Sequence, residues 1–128
     1  MEQAKIVLCD TDVMIEFYRG NPEVISDLRK IGQKNIALNY ITVGELIYGA
    51  FNKRDLTKLL KGIEHLILLD IDNKTCVKFV NLISTYALSH RLAVPDGFIA
   101  ATAIENDVEL FILNKKYFRF IEGLKLYQ

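Results

Sequence analysis

The chain holds only two histidines and two cysteines, no excess of either charge, and no apolar run long enough to span a membrane. Each shortage narrows the function. His65 stands at the start of an expected strand and His90 ends an expected helix, so neither lies beside a candidate acid. Without a placed imidazole, the sequence argues against a ribonuclease using histidine as general acid and base. It argues equally against a histidine-ligated zinc hydrolase. Cys9 and Cys76 lie within apolar patterns and lack metal-ligand spacing, and both read as buried thiols in a reducing compartment. The 16 basic and 16 acidic residues cancel, so any contact with nucleic acid must be local rather than a general coating. No Gly-rich phosphate loop and no Gly-x-Ser-x-Gly elbow occurs. The N-terminus reads directly into a strand, with no signal peptide, and the expected location is cytoplasmic.

At 128 residues the chain suits one domain with a sizeable core. Short apolar runs at residues 5–9, 36–39, 65–69 and 109–113 read as strands, and residues 124–127 as a fifth at an edge. A first helix runs from Thr11 to about Arg19 and stops at Gly20. Asn21-Pro22-Glu23 starts a second, with Val24, Leu28 and Ile31 on its inner face. Thr42 to Phe51, and a stretch from about Arg54, form two more. In these, Val43, Leu46, Ile47 and Ala50, then Leu56, Leu59, Leu60 and Ile63, recur at core spacing. Asp72 caps the longest helix, which ends near Arg91 and has an expected buried stripe of Cys76, Phe79, Val80, Ile83 and Ala87. Pro95-Asp96 opens a last helix to about Asn106, whose Ala100, Ala101 and Ala103 permit close packing on a sheet. Strands alternating with helices imply an α/β fold. The sheet should be mostly parallel, of four to five strands, with helices on both faces in one domain over residues 1–128.

Four positions then stand out at element ends: Asp10, Glu45, Asp96 and Asn114. In an open α/β sheet, strand carboxyl ends and the following helix N-termini line one crevice. Acids far apart in sequence meet there, and they repel unless a cation compensates. Hard oxygen donors of this kind select Mg²⁺ or Mn²⁺, which points to hydrolysis by metal-activated water. A simpler reading exists for each acid. Asp10 and Asp96 can cap helices, and Thr42-x-x-Glu45 has the spacing of a capping box. Asp12 reads as a supporting neighbour from the first helical turn, and Asp70 as a more distant one. Near the C-terminus Lys115, Lys116, Arg119 and Lys125 interleave with Tyr117, Phe118 and Phe120, a pattern able to hold phosphates and stack bases. Docking of those aromatics on the core is the alternative.

Three segments resemble a known family. Cys9-Asp10-Thr11-Asp12-Val13-Met14-Ile15, closing with Arg19-Gly20, is similar to the opening motif of PIN-domain ribonucleases of the VapC toxin type. Ile41-Thr42-Val43-Gly44-Glu45-Leu46-Ile47-Tyr48-Gly49-Ala50 resembles the second motif, and Pro95-Asp96-Gly97-Phe98-Ile99-Ala100-Ala101-Thr102-Ala103 the third. A fourth motif usually pairs threonine with Asn or Asp two residues on, then an aromatic. Asn114 and Phe118 match it, but Ile112 replaces the threonine and leaves that corner without its hydrogen-bonding partner.

The resemblance implies a PIN-like three-layer sandwich and an Mg²⁺- or Mn²⁺-dependent endoribonuclease toxin of a type II toxin–antitoxin pair. It implies Asp10 and Asp96 as principal ligands, Glu45 completing the cluster partly through water, and Asn114 orienting water or Glu45. Thr11 and Asp12 would support the ligands, and Arg19, Lys115 and Lys116 would contact RNA phosphates. It also implies a homodimer, joined by a VapB-like antitoxin into a heterotetramer or larger assembly. Met14, Ile15, Phe17, Tyr18, Tyr48 and Phe51 are candidates for the antitoxin groove, against ordinary core packing.

Two other enzymatic or signalling readings compete. Asp10-Thr11-Asp12 fits a haloacid-dehalogenase-like phosphatase, and the length fits a receiver domain, but each needs later residues that are missing. A PIN-fold RNA- or protein-binding module with a weakened site is the third alternative.

Overall fold

The computed structural model describes residues 5–128, so the reading of the extreme N-terminus as lacking a leader lies outside the described residues. Strand β1 spans Val7–Cys9 and leads through α1 (Thr11–Tyr18) and α2 (Pro22–Ile31) into β2 (Ile36–Asn39). Next come α3 (Tyr40–Tyr48), α4 (Lys53–Ile63) and β3 (Ile67–Leu69). The long α5 (Asn73–His90) and α6 (Val94–Glu105) then return the chain to β4 (Glu109–Phe111). Two 3-10 turns, Gln33–Asn35 and Lys115–Tyr117, were not anticipated.

The sheet is parallel throughout, in the order β3-β2-β1-β4. Strand alternation divides the core into two layers. Val7, Cys9, Ile36, Leu38 and Phe111 point to one face, against buried residues of α1 to α4 such as Met14, Leu28, Leu46 and Ile63. Leu8, Ala37, Leu110 and Ile112 point to the other, against Leu82 of α5 and the alanines of α6. The result is the expected three-layer α/β sandwich. The strands build outward from β1 through β2 to β3, and β4 then joins the other side of β1. That change of winding makes the end of β1 a topological switch point, where such sheets open a crevice.

Several expectations change. Residues 124–127 do not form a fifth strand: one parallel bridge joins Leu126 to Leu110, held by backbone bonds of 2.9 Å on either side. Helix α3 starts at Tyr40, capped by Asn39 rather than Thr42, because the Asn39 side chain accepts from the Thr42 N–H. The capping box is therefore absent, and Glu45 lies in the second turn. On α5 the buried positions are Thr75 and Leu82, with Phe79, Ile83 and Tyr86 packed on the core, whereas Cys76 and Val80 are exposed. Ile47 and Leu60 also face outward on their helices.

Close packing of α5 on α6 follows from small residues. A Cβ on Gly97 would lie 2.8 Å from Ile83 Cδ1, and the rings of Phe79 and Phe98 stack 3.7 Å apart. That contact fixes the turn of α6 that carries Asp96.

Candidate active site

Asp10 ends the ladder of β1: its N–H donates to the Phe111 carbonyl at 3.0 Å, continuing the pairing with β4. The same residue is the N-cap of α1, and its Oδ1 accepts from the Thr11 N–H at 2.7 Å. Asp96 occupies the first turn of α6, whose N-cap is Ala93, a residue with no polar side chain to offer. The capping alternative therefore holds for Asp10 but not for Asp96. Glu45 comes from α3, where its Oε1 accepts from the Thr11 hydroxyl at 2.7 Å.

These elements enclose a cleft of about 280 Å³ lined by Asp10, Asp12, Glu45 and Asp96, with Thr11, Asn39 and Thr42 among them. Ile15, Ile41, Pro95 and Ile99 form its apolar wall. Among the described residues no lysine, arginine or histidine lines it. The electrostatic consequence is direct. Burial, offset in part by the Thr11 N–H and reinforced by Asp12, Asp96 and Glu45, pushes Asp10 up to about 7. Asp96 is also raised, first by burial and then by Asp12 and Glu45. Cys9, directly before Asp10 in the strand, is pushed up to about 12 by burial and by that carboxylate, so it is an inert core thiol.

The remaining expected site residues lie elsewhere. Asn114 is not among the lining residues; its Oδ1 accepts from the Lys116 N–H at 3.3 Å and caps the 3-10 turn. Ile112 is buried in the core behind it. Lys115 donates to Gln128 Oε1 at 3.1 Å, Lys116 lies over the Tyr117 ring, and Arg19 pairs with Glu16 at 3.6 Å. Asp12, expected only as a neighbour, lines the cleft itself. Asn39 and Thr42 were missed as cleft residues. An Asn closing an apolar strand three residues before a threonine was the available signal, since that is an N-cap pattern.

The donor set suits a hard divalent cation. Among the described residues no three carboxylates are gathered tightly enough to cage an ion. Mg²⁺ does not require that, because it keeps several waters and takes one or two carboxylates directly. Four like charges in one cleft, two of them destabilised in ionised form, also favour a cation over any anion.

The family model of the PIN domain matches residues 7–122. The chain belongs to the PIN-domain family. Solved structures repeat this PIN fold over nearly the whole chain. One from Klebsiella pneumoniae, described as a toxin–antitoxin complex, is 25% identical with a TM-score of 0.80, covering 92% of this chain and 94% of that one. VapBC2 of Rickettsia felis, bound to a DNA fragment from its promoter, is 23% identical with a TM-score of 0.81, at 95% and 97% coverage. DNA-bound VapBC of Salmonella typhimurium is 23% identical with a TM-score of 0.80, at 96% and 97%. No curated protein sequence matches the chain closely enough to count as a relative.

Proposed function

We propose that this PIN domain is a divalent-metal-dependent endoribonuclease, acting as the VapC-type toxin of a type II toxin–antitoxin pair. The observation that carries the reading is one cleft, bare of basic side chains, in which Asp10, Glu45 and Asp96 meet from three separate elements. PIN domains are generally nucleases, and toxin–antitoxin complexes are among the structural neighbours.

Asp10 and Asp96 are the residues to hold Mg²⁺ or Mn²⁺. Glu45, set by Thr11, takes part through water, and Asp12 adds negative charge at the open side of the cleft. What a bound ion supplies is Lewis acidity toward a water and the scissile phosphate. The chain's own residues orient it and exclude bulk solvent along the Ile15, Ile41 and Ile99 wall. Asn114, whose Oδ1 accepts from the Lys116 N–H, would orient water or Glu45 from the end of β4. RNA phosphates contacted by Arg19, Lys115 or Lys116 would lie outside the cleft.

The antitoxin reading draws support from exposed aromatics on and just after α3. Tyr48 and Phe51 are 83% and 95% exposed, and Tyr40, half exposed, shares a shallow groove with Tyr48. Met14 is buried in the core, which removes it from the candidate groove, whereas Ile15 and Phe17 are only partly buried against that core and Tyr18 is half exposed. Homodimerisation is part of the same reading.

Pulsed expression in cells, followed by mapping of RNA ends, tests the function. The parent should produce growth arrest and a discrete set of new ends, and Asp96→Asn neither. New ends of equal abundance with Asp96→Asn would remove the assignment.

A further inference from the structure

Asn39 is a fully buried polar residue at the carboxyl end of β2, facing the acidic cleft. An N-cap usually sits at the surface and needs only an acceptor, which Ser or Asp supplies as well. This one uses both ends of its amide. Oδ1 accepts from the Thr42 N–H at 2.9 Å, and that donor fixes which way the amide faces. Nδ2 is thereby directed to Thr102 Oγ1 of α6 at 3.4 Å. Thr102 donates its own proton to the Phe98 carbonyl at 2.7 Å, so its lone pair is free to receive the amide.

The other arm leads to an acid. Thr11 Oγ1 lies 3.0 Å from Thr42 Oγ1 and 2.7 Å from Glu45 Oε1. An ionised carboxylate only accepts, so the single Thr11 proton goes to Glu45 and the Thr42 hydroxyl must donate to Thr11. Every proton in that arm has one assigned direction. The Asn39, Thr42 and Thr102 end of this network is buried, so displacement there leaves a buried group unpaired; Thr11 is half-buried and the Glu45 carboxylate it reaches is exposed.

We propose that Asn39 is a positioning residue. Through Thr42 and Thr11 it sets the Glu45 carboxylate, and through Thr102 it holds α3 in register with α6, the helix that carries Asp96. This rests on the reading of the cleft as a divalent-metal site. It concerns how the acids are held, since Asn39 itself touches neither substrate nor ion.

Calorimetric titration of Mn²⁺ into the full chain provides the test. Asn39→Ser keeps a capping oxygen but has no amide to reach Thr102, and Thr102→Val removes the acceptor at the same shape. Each should weaken Mn²⁺ binding about tenfold, the usual scale for groups that orient ligands. Because both cut one link, the double variant should bind no more weakly than either alone. Val24→Ala, a core truncation on α2 that lines no part of the cleft, should lower the melting temperature yet keep the affinity within about twofold. Relay variants that bind as tightly as the parent, or losses that multiply in the double variant, would overturn the proposal. Asp96→Asn separates the two levels. If it alone loses affinity, only the relay fails; if it also binds like the parent, the metal site fails and the relay with it.

Discussion

Asp10 serves as a helix cap and as one of four negative charges in a partly buried cleft. The two demands oppose each other, and burial and repulsion win, lifting its pKa to about 7. The folded protein therefore holds this proton more tightly than the unfolded chain, whose aspartates titrate near 3.9. Below that value the group contributes nothing to the pH dependence. As pH rises from about 4 to about 7 the unfolded state ionises first, and the metal-free fold loses stability by at most about 1.4 kcal/mol per pH unit. Asp96, raised for the same reasons, adds in the same direction. Urea midpoints measured across that window should fall for the parent and fall less for Asp10→Asn. Since a cation binds the ionised form, Mn²⁺ affinity should rise over the same interval. Glu45→Gln should lose activity while keeping most of its stability, because Glu45 caps no helix; a large fall in melting temperature with activity kept would contradict this. At this scale the sequence was readable where a strand closes or a helix opens. Asp10 and Asp96 were found that way. Asn114 also caps the 3-10 turn that follows β4, which the sequence did not reveal, because a turn of three residues carries little pattern. The capping-box alternative for Glu45 falls because Asn39, placed at the end of the expected strand 36–39, supplies the cap.

At the scale of elements, two glycines in the site's helices make opposite cases. Gly44 in α3 faces open space, with nothing within 4 Å of where a Cβ would stand. Gly44→Ala should therefore stabilise the fold by about 0.5–1 kcal/mol through helix propensity alone. Gly97 in α6 meets Ile83 and Phe79, and Gly97→Ala should cost about 1–3 kcal/mol in urea unfolding because α5 must shift. Helix existence and order were legible from apolar spacing. The phase of α5 was legible only in part, since Phe79 and Ile83 pack on the core while Cys76 and Val80 do not. Val77, Val80 and Leu88 place apolar side chains on its outer side, so periodicity alone could not say which side meets the sheet. The missing fifth strand has a similar cause: Leu124 to Tyr127 has strand composition, but only Leu126 finds a partner.

For the whole molecule, the order β3-β2-β1-β4 follows from strands alternating with helices and from the crossing of α5 and α6 on the opposite face. That crossing brings Asp96 to the end of β1, which no local pattern encodes. The surface left over includes Phe51 on the loop between α3 and α4, almost wholly exposed. Phe51→Asp should release the toxin from inhibition by a co-expressed antitoxin while leaving its nuclease activity in isolation unchanged, measured as RNA cleavage with and without the partner. Among the described residues no helix is long and apolar enough to cross a membrane. The central claim is that acids from three elements act as one metal-dependent nuclease site. Its most direct measurement is cleavage of a labelled RNA by the purified protein, with Mg²⁺, with EDTA, and with Asp10→Asn in place of the parent. Cleavage is predicted for the parent alone and only with the metal. Cleavage that survives EDTA, or that Asp10→Asn performs at the parent's rate, would contradict it.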